Sequence, residues 1–346
     1  MMKMKKEKVF NEAINKVYSE ANKLNSYNYP KILYKYRNFD EYTIEMIKDS
    51  YLYLAPVNKM DDQFDCSLNF DEQKFLDHSI EKIILSFLKG KQKEIKRNVG
   101  LKEKELIDPM FGVFNYDGTI KEKEFRNFLH NYQDDSIDSS KAEAFLTFIK
   151  EKQKEVVSNE TFINECKKLV ETLIFQRNKT GLCSLTETNM SQTMWQMYSN
   201  NYEGYCLEYN IEEYINEYIT SEEIILPVFY QKKRNFDPVK IVCNSIFNFI
   251  VHQNNQDENR KEFLSVFFKI LSTKNSEWSL QKEWRIIGTP NKKIKVPKIS
   301  KIYLGKNVKE ENKKMILSLA DELQIEVYIQ EDDYEHLTFK YKKIRG

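Results

Sequence analysis

A chain of 346 residues, 41% hydrophobic and 31% charged, has material for one large core or two smaller ones and fits the soluble globular class. Its 54 Lys and Arg against 53 Asp and Glu give a net charge of +1, so global electrostatics offer no argument for a nucleic-acid partner. No apolar run approaches the ~20 residues of a membrane helix, and Met1 to Glu7 lack the apolar core of a signal peptide, so a cytoplasmic protein with no membrane partner is expected.

Residues 1–26 read as a charged leading helix with Val9, Phe10, Ile14, Val17 and Tyr18 on one side. After Pro30, Ile32 to Arg37 is β-branched and aromatic and predicts a strand; Asp40 can cap a helix through Tyr42, Ile44, Met46 and Ile47. Tyr51 to Leu54 alternates like a second strand that stops at Pro56, and the acidic loop Asp61-Asp62-Gln63-Phe64-Asp65 closes this first unit. From Asp71 to Phe175 helical patterns take over, at 75–88, 141–157 and 160–175, with faces rich in Lys and Glu. The seven Lys and Arg between Leu88 and Lys104 are interleaved with acids and read as a solvated helix face. Within this region Asn115, Asp117, Gly118 and Glu124 fall at calcium-loop positions, but Val113 stands where the first oxygen ligand is essential, so a plain Asp-Gly turn is expected.

The stretch Gly181 to Tyr209 reads as a strand (Leu182–Leu185), a polar turn, a compact helix and a second strand (Tyr205–Tyr209). Helical spacing gathers Met194, Trp195, Met197 and Tyr198 on one side, and Asn and Gly in Asn200 to Gly204 suit the left-handed turn that ends a helix. Either a site or core packing produces such a cluster. Beyond it come a short helix (Ile211–Tyr218), a strand with Pro227 that suits an edge, the basic cluster Lys232-Lys233-Arg234, and helices between Pro238 and Leu271 that include His252. A strand over Glu283–Ile287 follows an aromatic turn at Trp278, and Lys301–Leu304, Gly305, Val308–Leu323, Ile325–Ile329 and Leu337–Lys342 read as strand, turn, helix, strand and strand. The fold class expected is α+β: a mixed or antiparallel core sheet with flanking helices and a large helical insertion. Residues 1–70 form its first part, 71–175 the insertion and 176–346 the second part.

The chemistry that composition permits is narrow. Five cysteines, Cys66, Cys166, Cys183, Cys206 and Cys243, form no Cys-x-x-Cys pair and have only four histidines to join them, so reduced thiols and no metal are expected. Nine glycines supply neither a phosphate loop nor a dinucleotide fingerprint, and no Gly-x-Ser-x-Gly elbow exists. What remains is a dispersed polar set on or beside strands: Tyr36, Arg37, Ser184, Trp195, Tyr198, Glu283 and Arg285.

Leu33 to Arg37, Tyr51 to Pro56 and Asp61 to Asp65 resemble the opening of the bacterial domain-of-unknown-function family numbered 2971. The likeness continues in Cys183 to Leu185, Met194 to Tyr198, Gly204 to Tyr209, Lys274 to Arg285 and Ile302 to Gly305, and skips the insertion. Two departures stand out: Asp61-Asp62-Gln63-Phe64 where the family has Asn-Asp-Pro-Phe, and Gln281 where a Glu is frequent. The order of motifs is similar to that of ADP-ribosyltransferases, with an Arg or His on an early strand, a Ser or aromatic in the middle and a Glu on a late strand. That resemblance implies NAD as substrate, a protein or nucleic-acid acceptor, and a toxin or phage-defence role. In it Glu283 would stabilise an oxocarbenium-like state as the catalytic carboxylate. Tyr36, Trp195 and Tyr198 would stack on nicotinamide, Arg37 would pair with pyrophosphate and Ser184 would orient the ribose or amide. The competing account makes Trp195 and Tyr198 helix core and pairs Glu283 with Lys282 or Arg285 on a strand face. A second function class is a non-catalytic nucleotide- or nucleic-acid-binding module using Lys232-Lys233-Arg234 and the Lys-rich insertion.

Overall fold

The computed structural model describes residues 29–60, 62, 64–67, 174–233 and 256–346, with isolated positions at 123, 124, 127, 168, 171 and 172. The chain divides into two compact units. One comprises residues 1–17, 68–174 and 236–268; the other, 18–67, 175–235 and 269–346, holds the sheet. The leading helix, nearly all of the insertion with its basic segment and Asp-Gly turn, Arg234 and His252 lie outside the described residues.

The sheet unit is α+β, as the sequence pattern implies. Its elements are β1 (Ile32–Arg37), α1 (Thr43–Asp49), β2 (Tyr51–Pro56), β3 (Gly181–Thr186), α2 (Gln192–Tyr198), β4 (Tyr205–Asn210), β5 (Ile224–Pro227) and β6 (Phe229–Gln231). There follow α3 (Gln256–Ser272), whose last four residues belong here, β7 (Thr273–Asn275), β8 (Glu283–Gly288), β9 (Lys292–Lys295), β10 (Lys301–Leu304), α4 (Glu310–Leu323), β11 (Glu326–Asp333) and β12 (Thr338–Arg345). Ten strands form one mixed sheet in the order β12-β11-β10-β4-β1-β3-β2-β9, with β8 on β3 and β5 on β8. All of its pairs are antiparallel except β10 with β11, which α4 joins as a parallel pair requires. Pro227 sits on β5, which pairs with β8 alone, because proline cannot donate to a second ladder. The expected strand over 224–230 breaks after Pro227 into β5 and β6, and β6 pairs with β7 in a separate two-stranded ribbon.

Strand alternation assigns the two faces. Leu33 of β1, Leu207 and Tyr209 of β4 and Leu304 of β10 lie on one side, with Met46 and Ile47 of α1 and Ile316 and Leu319 of α4 packed in the same core. Tyr36, Cys206 and Tyr303 lie on the other, against Trp195, Tyr202 and Phe339. Central β4 is therefore buried on both faces from Tyr205 to Tyr209.

The stretch Gly181 to Tyr209 does not form two neighbouring strands. β1 lies between β3 and β4 and pairs with both. Ser191 caps α2 by accepting from the Met194 amide at 3.3 Å. After the helix the chain turns through three left-handed residues, Asn200, Asn201 and Tyr202, with φ of 46°, 52° and 68°. Gly204 is absent from that set and is needed for a different reason. A Cβ there would strike the Arg37 carbonyl and Ser199, and one on Gly305 would strike the Tyr202 carbonyl. These two glycines meet directly, Gly305 N–H donating to Gly204 C=O at 3.0 Å.

Candidate functional site

The site is built where the sheet forks. β8 follows one edge of β3 along its whole length, from Gly181 opposite Gly288 to Thr186 opposite Glu283. The other edge is divided between two strands. β1 meets it only at Tyr34 opposite Thr186, and β2 only at Ala55 opposite Leu182 and Pro56 opposite Gly181. Ser184 stands between these contacts, and its carbonyl accepts from Lys35 Nζ at 2.8 Å. A cleft of about 620 Å³ has Tyr34, Lys35, Tyr36 and Ser184 among its lining residues, a volume suited to a small organic ligand. Tyr198 of α2, Trp278 and Phe64 add aromatic wall.

The charged side of the cleft is a buried quartet. Glu283 receives Arg285 Nε at 2.7 Å on one carboxylate oxygen and Lys274 Nζ at 2.9 Å on the other. Asp65 receives Arg285 Nη2 at 2.6 Å and lies 3.3 Å from Lys274 Nζ. All four side chains are at least nine-tenths buried, and two cations cancel two carboxylates. Such a group survives burial only because each charge has its opposite in contact. Burial pushes the Glu283 carboxyl up, but Arg285 and Lys274 outweigh it and hold the pKa at about 2. Burial raises the neighbouring Cys66 thiol to about 12, so it is a packed, neutral group beside Arg285.

A neutral arm extends from the quartet to the aromatic wall. Gln281 accepts from Lys274 Nζ at 2.9 Å and donates through Nε2 to the Tyr198 hydroxyl at 2.8 Å. A glutamate at this position could not donate to Tyr198 and would add a third acid to a balanced set. Lys282 separates Gln281 from Glu283 in the left-handed region, with φ of 42°, and its N–H returns to Ser279 C=O to close the 3₁₀ turn Ser276–Gln281 ahead of β8. Tyr230 lies behind Glu283, its hydroxyl accepting from the Glu283 amide at 2.8 Å.

Of the six expected site residues, four line this cleft: Tyr36, Ser184, Tyr198 and Glu283. Trp195 does not. Its ring is fully buried, edge-on to Tyr36 at 5.1 Å, with Nε1 donating to Asn189 C=O and to Tyr341 Oη, so it is helix core rather than a stacking wall. Arg37 does not line the cleft either. It ends β1 one residue beyond Tyr36, and Asp40 holds its guanidinium at 2.9 Å. Lys35, Asp65 and Lys274 are the residues that sequence reasoning passed over. Asp65 was visible only as one acid in a loop, and no spacing links Lys274 to Glu283 before the chain folds. The alternation of Glu283 and Arg285 with apolar Trp284 and Ile286 was the one available signal, and Glu283 and Arg285 do pair along one face of β8. Lys232 and Lys233 are exposed at the end of β6. Among the described residues no group of His, Cys, Asp or Glu is placed to hold a metal, and no helix is long and apolar enough to cross a membrane.

The family match falls across this site. Residues 194–286 match the model of a protein family of unknown function, DUF2971. The matched segment carries Tyr198, Lys274, Gln281, Glu283 and Arg285, and leaves out Lys35, Tyr36, Asp65 and Ser184. No curated protein and no solved structure matched the chain.

Proposed function

We propose that the cleft binds NAD and cleaves the bond between nicotinamide and ribose, passing ADP-ribose to a macromolecular acceptor or to water. One observation carries the proposal: the Glu283 carboxylate, held by two cations, lines an aromatic-walled cleft beside Ser184. As the C–N bond breaks, its electron pair leaves with nicotinamide, which becomes neutral, and positive charge develops on the ribose. Glu283 would accept hydrogen bonds from the ribose hydroxyls and stabilise that charge. The acceptor then adds to the ribose carbon and loses its proton. Tyr36 and Tyr198 would supply flat walls for the rings. Consumption of NAD fits the expected toxin or phage-defence role, in which expression would arrest growth and Glu283→Gln would relieve the arrest.

A second function has a specific observation in its favour. Both carboxylate oxygens of Glu283 already hold cations, which suits a cleft that binds a nucleotide without cleaving it. Chromatographic detection of free nicotinamide decides between them. Wild-type protein should release nicotinamide from NAD, and Glu283→Gln should lower the release rate at saturating NAD by about 10²–10³-fold. Binding of NAD without release by the wild type would establish the non-catalytic function and end the enzymatic one.

A further inference from the structure

We infer that the cleft recognises a ribose 5′-phosphate unit, with Lys35 contacting the phosphate beside a ribose held at Glu283. This rests on the cleft being a nucleotide site, and it goes further by naming the smallest ligand and the residue for its charge. Two cations line the cleft, and their hydrogen-bonding states differ. Lys274 directs its ammonium to Gln281, Glu283 and Asp65, so its three donors are engaged. Arg285 behind it is fully buried and committed to Glu283, Asp65, Cys66 and the Leu271 carbonyl. Lys35 makes one hydrogen bond, to the Ser184 carbonyl, and no carboxylate pairs with it among the described residues. Its other two N–H groups are available to a ligand.

Ser184 fixes where that ligand would sit. Its carbonyl holds Lys35, and across the β3–β8 ladder it stands opposite Arg285, which holds Glu283, so one residue lies between the cationic and anionic poles of the cleft. A nucleoside 5′-phosphate has the matching order. Its sugar hydroxyls are donors suited to a carboxylate, its phosphate is an acceptor suited to an ammonium, and both are carried by one ribose. A free nucleoside would leave Lys35 without its anion. Inorganic phosphate would meet Lys35 but offer nothing to Glu283 or the aromatic walls.

Calorimetric titration tests this with AMP against adenosine and nicotinamide mononucleotide against nicotinamide riboside. In the wild type each phosphate should tighten binding by about tenfold or more, the size of a charge-assisted hydrogen bond. Lys35→Met should remove that preference and leave nucleoside affinity within about twofold, while Lys35→Arg should restore most of it. Should Lys35→Met fail to fold, Lys35→Gln keeps a donor for the Ser184 carbonyl without the charge and makes the same comparison. Equal binding of AMP and adenosine by the wild type, no binding of any of the four, or an undiminished preference in the uncharged variants would overturn the inference. Phosphate-dependent binding of AMP through Lys35 in a protein that releases no nicotinamide would keep it and remove NAD cleavage. Nicotinamide release with an unchanged KM for NAD in Lys35→Met would do the reverse.

Discussion

Asp65 and Arg285 are separated by 220 positions in the chain and meet at 2.6 Å with both side chains shut off from water. The contact binds the loop after β2 to the last strand of the cleft and closes the charge balance around Glu283. Arg285→Met would leave two buried carboxylates to share Lys274. The expected cost is about 3–5 kcal/mol in urea unfolding. Asp65→Asn should also destabilise, and the double variant should lose less than the sum of the two, since each change removes the charge the other leaves exposed. Strict additivity would show that the two residues do not couple.

The pH dependence of stability follows from the depressed carboxyl of Glu283. Its pKa moves from 4.5 to about 2 on folding. A depressed folded value means that the contribution is fully present above 4.5 and is lost as pH falls through 4.5 towards 2. The shift corresponds to about 3 kcal/mol. Unfolding free energies measured between pH 6 and 2 should fall more steeply in the wild type than in Glu283→Gln, which lacks that titration.

Trp195 and Arg37 should separate from the cleft residues in any binding assay. Trp195→Ala removes a fully buried ring and should cost about 3–5 kcal/mol of stability. Arg37→Met loses a half-exposed pair with Asp40 and should cost no more than about 1 kcal/mol. Neither Arg37→Met nor the milder Trp195→Phe should change nucleotide affinity by more than about twofold, a difference of roughly 0.4 kcal/mol. A tenfold loss in Arg37→Met would return that residue to the phosphate.

Gly305→Ala should destabilise although the turn has no unusual φ. The added Cβ would fall on the Tyr202 carbonyl, which is backbone and cannot swing away, and would push Gly305 off its hydrogen bond to Gly204. Overpacking of this kind costs about 1–3 kcal/mol. Thermal unfolding measures it, and an unchanged Tm would mean the turn yields without strain.

The elements were legible where periodicity is strong. β1, β2, β3, α2, β4 and β10 fall where alternation or helical spacing predicts them, and α4 begins two residues later than its apolar pattern. β9 escaped because Lys292 to Lys295 carries one apolar residue, Ile294, on a strand otherwise turned to solvent. The site was half legible. Strand alternation separates Tyr36 from Arg37, but it would separate Lys35 from Tyr36 in the same way, and those two line one cleft. What it cannot show is the fork at β3, since that arises from partners far along the chain, and the fork is what brings Lys35 to Ser184.

That fork has a consequence for how the chain is made. β1 and β2 are successive in sequence yet never pair with each other; β3, which begins at Gly181, bridges them, and the ladder over Tyr51 to Leu54 waits for β9, which begins at Lys292. On a translating ribosome the two strands emerge with open edges and no partner. Elongation at roughly 5–20 residues per second postpones that partner by on the order of ten seconds. Through this interval Tyr51-Leu52-Tyr53-Leu54 is an exposed apolar strand, so fragments truncated before Gly181 should aggregate where the full chain does not.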